Sequence, residues 1–97
     1  MRVLIKMASV IVTLRIMPES PDIDMDKLES KATEKIAGFG GEVGKKEIQP
    51  VAFGLKALIL FFVMYEAKGS TEPLEKEIEA LEGVSSVEVT DVRRAIG

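Results

Sequence analysis

Ile48-Gln49-Pro50-Val51-Ala52-Phe53-Gly54-Leu55-Lys56-Ala57-Leu58-Ile59-Leu60-Phe61-Phe62-Val63-Met64-Tyr65 is the stretch on which the reading of this chain turns. Its apolar run, Ala57 to Tyr65, is far shorter than the roughly 20 residues a membrane-spanning helix needs. β-Branched and aromatic residues, with Pro and Gly close by, favour a buried strand over a helix. Leu55, Ala57, Ile59, Phe61, Val63 and Tyr65 line one face of that strand, and Leu58, Leu60, Phe62 and Met64 the other. A strand apolar on both faces belongs in the middle of a sheet whose two sides are covered. Phe53-Gly54 suits the centre of a tight turn leading into it, because Gly takes a positive φ without steric cost. Pro50 lacks the N–H of a ladder residue, so the strand entering the turn is expected at an edge. The stretch therefore reads as a hairpin: an outer strand to about Ala52, a tip at Phe53, and a central strand.

Outward from this hairpin, Ala8 to Met17 alternates, with Val10, Val12, Leu14 and Ile16 on one side and Ser9, Thr13 and Arg15 on the other. Pro18 and Pro21 stop that strand. A helix is expected from Met25 to Ala37, capped by Asp24, with Asp26 and Glu29 at the positive end of its dipole. Met25, Leu28, Ala32 and Ile36 form its apolar stripe, and Gly38 is expected to end it. The outer strand lies within Glu42 to Ala52, where Lys45-Lys46-Glu47 suits a solvated edge. After the central strand, Ser70-Thr71-Glu72-Pro73 signals a second helix, with Leu74, Ile78 and Leu81 inward and Gly83 as the stop. Its acidic outer surface reads as a solvated face. Val84 to Val92 is the last strand, with Val87 and Val89 on its core face.

The order β-α-β-β-α-β, with one apolar stripe per helix, predicts an α+β fold. It is a ferredoxin-like α/β sandwich with a four-stranded antiparallel sheet in the order 4-1-3-2 and both helices on one face. All 97 residues form one domain, in which residues 1 to 6 are an N-terminal extension and Met7 is an alternative start. One consequence needs a cover. The second apolar face of the central strand, Leu58, Leu60, Phe62 and Met64 or its odd-numbered opposite, points away from the helices; we expect the even-numbered set there, covered by an oligomer or a partner.

Chemical motifs are few. The chain has no Cys and no His, which removes disulfides, thiol nucleophiles and the commonest general base. A net charge of −3 argues against a nucleic-acid binder that relies on a diffuse basic surface. The outward face of the first strand also lacks the exposed aromatics of an RNA-binding sheet. Asp22-Ile23-Asp24-Met25-Asp26 begins like a calcium loop, but Lys27 stands where its glycine belongs and Thr33 where its bidentate Glu belongs. Gly38-Phe39-Gly40-Gly41 lacks the third spaced glycine of a dinucleotide loop and follows a helix. No enzyme, metal, cofactor or membrane association is expected.

Three segments carry more. Met17-Pro18-Glu19-Ser20-Pro21-Asp22, Pro50-Val51-Ala52-Phe53-Gly54-Leu55-Lys56 and Val87-Glu88-Val89-Thr90-Asp91-Val92-Arg93-Arg94 together resemble the archaeal translation elongation factor 1-beta family. The resemblance covers Ala8 to Ile96 in order. It implies a cytoplasmic guanine-nucleotide exchange factor for the GTPase elongation factor 1-alpha, acting without cofactor or bond chemistry. It also implies that Ala52, Phe53 and Gly54 contact the GTPase, because the related eukaryotic factors insert the matching Phe into a pocket. Those factors use a C-terminal Lys to disturb the magnesium and phosphate region. Here Asp91-Val92 is followed by Arg93 and Arg94 with no Lys. Either an arginine takes the cationic role, or magnesium is displaced differently, or the basic end only pairs with nearby acids.

Two other readings remain at this point: a ferredoxin-like regulatory domain that dimerises through its open sheet face and senses a small ligand, and a structural subunit whose acidic helix docks a basic partner. Topology adds a constraint to the exchange reading. The Phe53 tip and Arg93-Arg94 fall at opposite ends of a strand about 30 Å long. They reach one GTPase only by bridging two parts of it.

Overall fold

A computed structural model describes residues 9–95, so the expectations for residues 1 to 6 and Met7 lie outside the described residues. Strand β1 (Ser9–Pro18), helix α1 (Met25–Phe39), β2 (Glu42–Pro50), β3 (Lys56–Tyr65), α2 (Glu72–Glu79) and β4 (Val84–Ala95) follow in the expected order. All pairings are antiparallel and the strands lie in the order β2-β3-β1-β4, which is the predicted order read from the other edge.

Local chemistry explains the helix limits. Asp24, in extended conformation, accepts from the backbone N–H of Asp26 at 3.0 Å and of Lys27 at 3.2 Å, satisfying two donors of the first turn. Asp24→Ala should therefore lower stability by about 1 kcal/mol, read as a shifted thermal melt. The other end differs from expectation. α1 runs through Gly38 and stops at Gly40, whose φ of 105° is a left-handed cap. Gly41 is required by space: a Cβ there would lie 2.8 Å from the Phe62 ring and 2.9 Å from Ile36. In α2, Ser70 Oγ accepts from the N–H of Glu72, and Thr71 Oγ1 donates to Glu75 at 2.6 Å.

Register decides which face of β3 is the core. Val10, Val12, Leu14 and Ile16 oppose Met64, Phe62, Leu60 and Leu58, and this set packs against Leu28, Ala32, Ile36, Leu74 and Ile78. The even-numbered face expected to be open is thus the helix-covered core, with Leu58, Leu60 and Phe62 fully buried. Strand β1 dictates this outcome. Its single apolar face must meet both helices, and antiparallel pairing places the even residues of β3 beside it. The open face instead carries Ile59, Phe61, Val63 and Tyr65.

Strand β2 is the predicted edge, exposed along nearly its whole length and ending at Pro50. Lys46 ties it to α1 by donating to Glu29 at 2.6 Å. That hydrogen bond, with the Glu29 charge, holds the ammonium above the ordinary lysine pKa. Its contribution is complete below the ordinary lysine range and is lost only as pH rises past the raised value.

Candidate partner-binding site

The hairpin tip is built from five residues. Val51 N–H donates to the Leu55 carbonyl at 2.8 Å, and Leu55 N–H donates to that of Ala52 at 3.2 Å. Closing so short a loop puts Phe53 at φ 60°, ψ 32° and Gly54 at φ 76°. Gly54 was the expected left-handed residue; Phe53 was not. Among the described residues Phe53 is the one non-glycine with positive φ. For a bulky side chain that conformation costs on the order of 1–2 kcal/mol, and nothing apolar compensates, since the ring is 93% exposed. The tip is an aromatic held out into solvent by a strained backbone.

The segment after β1 lies beside it. A Cβ on Gly54 would meet Pro21 at 3.9 Å, so the Met17–Asp22 segment and the hairpin share one end of the sheet. A surface groove of about 290 Å³ opens at that end, between the start of α1 and the turn into β4, lined by Glu19, Ile23, Asp24, Lys27, Lys31 and Glu82 among others. Glu19 N–H donates to the Gly83 carbonyl at 2.8 Å across its floor.

At the far end, β4 runs past Val92 to Ala95, so Arg93 and Arg94 are strand residues, not a tail. A bulge at Thr90 sets their directions, since Thr13 pairs with Asp91 while Leu14 pairs with Val89. Val87 and Val89 point to the helix side before the bulge; Val92 and Arg94 do so after it. Asp91 and Arg93 are therefore turned to the open face. Simple alternation from Val87 and Val89 would have reversed these faces. Arg93 Nε donates to Asp91 at 2.8 Å, and Arg94 Nη2 to Glu66 at 3.0 Å. Glu66 escaped the sequence reading because it lies in a single 3-10 turn after β3. Among the described residues each guanidinium uses only one of its donors in a hydrogen bond, and exposed pairs of this kind are worth about 0–1 kcal/mol, so a partner can displace them. Ala52, Phe53 and Gly54 lie together at one end; at the other, Asp91 and Arg93 share the open face while Arg94 lies on the helix face. The register keeps the two groups the length of β3 apart.

Fold and site together define a class: a ferredoxin-like α+β domain that offers an exposed aromatic at one end of its sheet and two guanidinium groups at the other. The family model described as EF-1 guanine nucleotide exchange domain matches residues 11–95. Elongation factor 1-beta of Methanothermobacter thermautotrophicus is 46% identical over 88 residues, covering 91% of this chain and 98% of that protein. The protein of the same name from Staphylothermus marinus is 46% identical over 89 residues, with the same two shares. The chain belongs to the EF-1 guanine nucleotide exchange domain family. Among solved structures, the ACT domain from GTP pyrophosphokinase of Chlorobium tepidum has a TM-score of 0.58 at 18% identity, covering 84% of this chain and 97% of that one. That likeness is one of fold alone.

Proposed function

We propose that this chain promotes release of GDP from elongation factor 1-alpha by gripping the GTPase at two places, with Ala52, Phe53 and Gly54 at one and Asp91, Arg93 and Arg94 at the other. The observation that carries the reading is Phe53, an exposed ring on a strained turn. Strain of this kind collects where a partner, rather than the fold, uses the side chain. The family and the relatives named elongation factor 1-beta supply the partner. No bond is made or broken, so no catalytic residue is required. The chain works where elongation does, in the cytoplasm, with no direct contact to nucleic acid. No helix of the described residues is long and apolar enough to cross a membrane. Self-association through the open sheet face belongs to the same reading.

Binding can expel GDP only through a difference in affinity: the factor must hold the nucleotide-free GTPase more tightly than the GDP-bound form. The aromatic anchor supplies affinity. The guanidinium groups compete for the carboxylates or phosphates that hold magnesium and GDP, because each can pair bidentately. Titrating the chain against both forms of the GTPase tests this. Tighter binding to the empty form, with release on adding GDP, is expected; equal affinity would refute it. Replacing Arg93 and Arg94 together with Ala should slow GDP release at least tenfold, or about 1.4 kcal/mol in the barrier. Added salt should then weaken wild type more than the variant. An unchanged rate would leave the mechanism to the Phe53 end alone.

A further inference from the structure

The two edges of the sheet are guarded unequally. β2 carries the usual defences against a stray strand: a register shift between Val43 and Lys45, the Lys45-Lys46-Glu47 run, and Pro50 at its end. β4 is the other edge, and among the described residues no strand pairs with its outer side. It has neither Pro nor Lys, and Val87, Val89, Thr90 and Val92 are strong strand formers. Val92 is left 56% exposed although it lies on the helix side, opposite Val12. The bulge at Thr90 is the main obstacle to pairing here. A strand offers outward N–H and C=O groups at every second residue, and the bulge inserts an extra residue between them. A regular strand matched to one half of β4 is therefore out of step with the other half.

We propose that this edge takes the β4 of a second copy, antiparallel, about a two-fold axis normal to the sheet and level with the Thr90–Asp91 peptide bond. The copy carries the same bulge, so the two interruptions fall opposite each other and both halves stay in step. Ser86 then pairs with Ala95 of the other copy, Val87 with its Arg94, Glu88 with its Arg93, and Val89 with its Val92. The faces agree throughout: register against β1 puts the first and third of these pairs on the open side and the second and fourth on the helix side. Without the bulge every one of them would join opposite faces. Glu88 with Arg93 is an opposite-charge pair and Val89 with Val92 a β-branched one, combinations that stabilise neighbouring strands. Arg94 can lay its stem along Val87 while its head keeps Glu66, 3.0 Å away. Every contact occurs twice, as an isologous interface requires. Two four-stranded sheets become one, with all helices on the same side, and the open face of each copy stays as it was. About 30 Å of edge buries less than the roughly 1,200 Å² of a standard interface, so the pairing is weak and concentration-dependent. Arg93 and Arg94 lie within it, so a paired copy cannot offer them to the GTPase. That consequence rests on the exchange reading; the pairing does not.

Amide hydrogen exchange over a range of protein concentrations tests it. Outer-edge N–H groups between Ser86 and Ala95 should gain about fivefold or more protection as concentration rises, while those of β2 do not change. Association through the open face alone would leave the β4 edge exchanging at its dilute rate and would overturn the proposal. Protection independent of concentration would overturn it too, assigning the edge to a segment of the same chain. Charge exchange gives a second check, with circular dichroism to confirm folding. Glu88→Arg and Arg93→Glu should each move the response to about tenfold higher concentration, because each sets like charges opposite one another twice per pair. Mixed as two chains, or combined in one, the two substitutions bring opposite charges together again and should restore the wild-type response. Variants that protect the edge as wild type does, or a combination no better than its parts, would refute the pairing. Should a single variant fail to fold, wild type and the combined variant still decide. None of these readouts involves the GTPase, so a chain that failed to release GDP would leave them standing.

Discussion

Replacing Phe62 with Ser is expected to lower the stability of the domain by about 3 kcal/mol or more, through a cavity and a hydroxyl with no partner. Phe62 is fully buried at the centre of the helix-covered layer, opposite Val12 on β1 and Val43 on β2, and a Cβ on Gly41 would touch its ring. For a domain of this size such a loss lowers the melting temperature by more than about ten degrees. Thermal and urea melts of the variant read it directly. A melt near that of wild type, with altered sedimentation instead, would place the ring on the open face and overturn the core assignment.

Phe53→Ala should give the opposite pattern. The melt should stay close to that of wild type, because the ring makes no core contact and Ala keeps the same backbone strain. Affinity for nucleotide-free elongation factor 1-alpha should fall by about 2 kcal/mol or more, the scale of a central aromatic anchor. Phe53→Gly separates the two roles further. Glycine relieves the positive φ, so stability should hold or rise by up to about 1 kcal/mol while binding is lost as in the alanine variant. Unchanged binding in both variants would exclude Phe53 as an anchor. A cooperative loss of stability would show that the ring packs on its own domain.

The contrast between these two phenylalanines marks what the sequence could carry. Sheet order, both helices and the hairpin followed from periodicity and from Pro50, because one-faced elements admit few packings. The face of β3 did not follow. Ala57–Tyr65 is apolar on both sides, so its own pattern holds no phase; only its register against β1, whose single apolar face is unambiguous, sets it. The end of α1 was misplaced for a related reason. Three glycines crowd Gly38 to Gly41, and tertiary space at Phe62 and Ile36 decides which of them serves as cap and which as spacer.

Site residues divide in the same way. Phe53 stood out through the resemblance of its Phe-Gly hairpin to the family, helped by a turn tip being a poor place to bury a ring, but its left-handed backbone is a product of hairpin closure and no composition rule forecasts it. Arg93 and Arg94 were visible as charges, whereas their directions depend on a bulge at Thr90 that leaves no mark in residue type. The pairing of Arg94 with Glu66 joins residues far apart in the chain and is seen only once β3 and β4 are placed.

The central claim is exchange, and its most direct measurement is release of a fluorescent GDP analogue from preloaded elongation factor 1-alpha, chased with excess unlabelled GDP, as the concentration of this chain is raised. The account predicts a release rate that climbs with the chain and saturates well above the spontaneous rate, because the ternary complex loses nucleotide faster than the binary one. A rate that stays at the spontaneous value at every concentration, with a folded chain and an active GTPase, would contradict it.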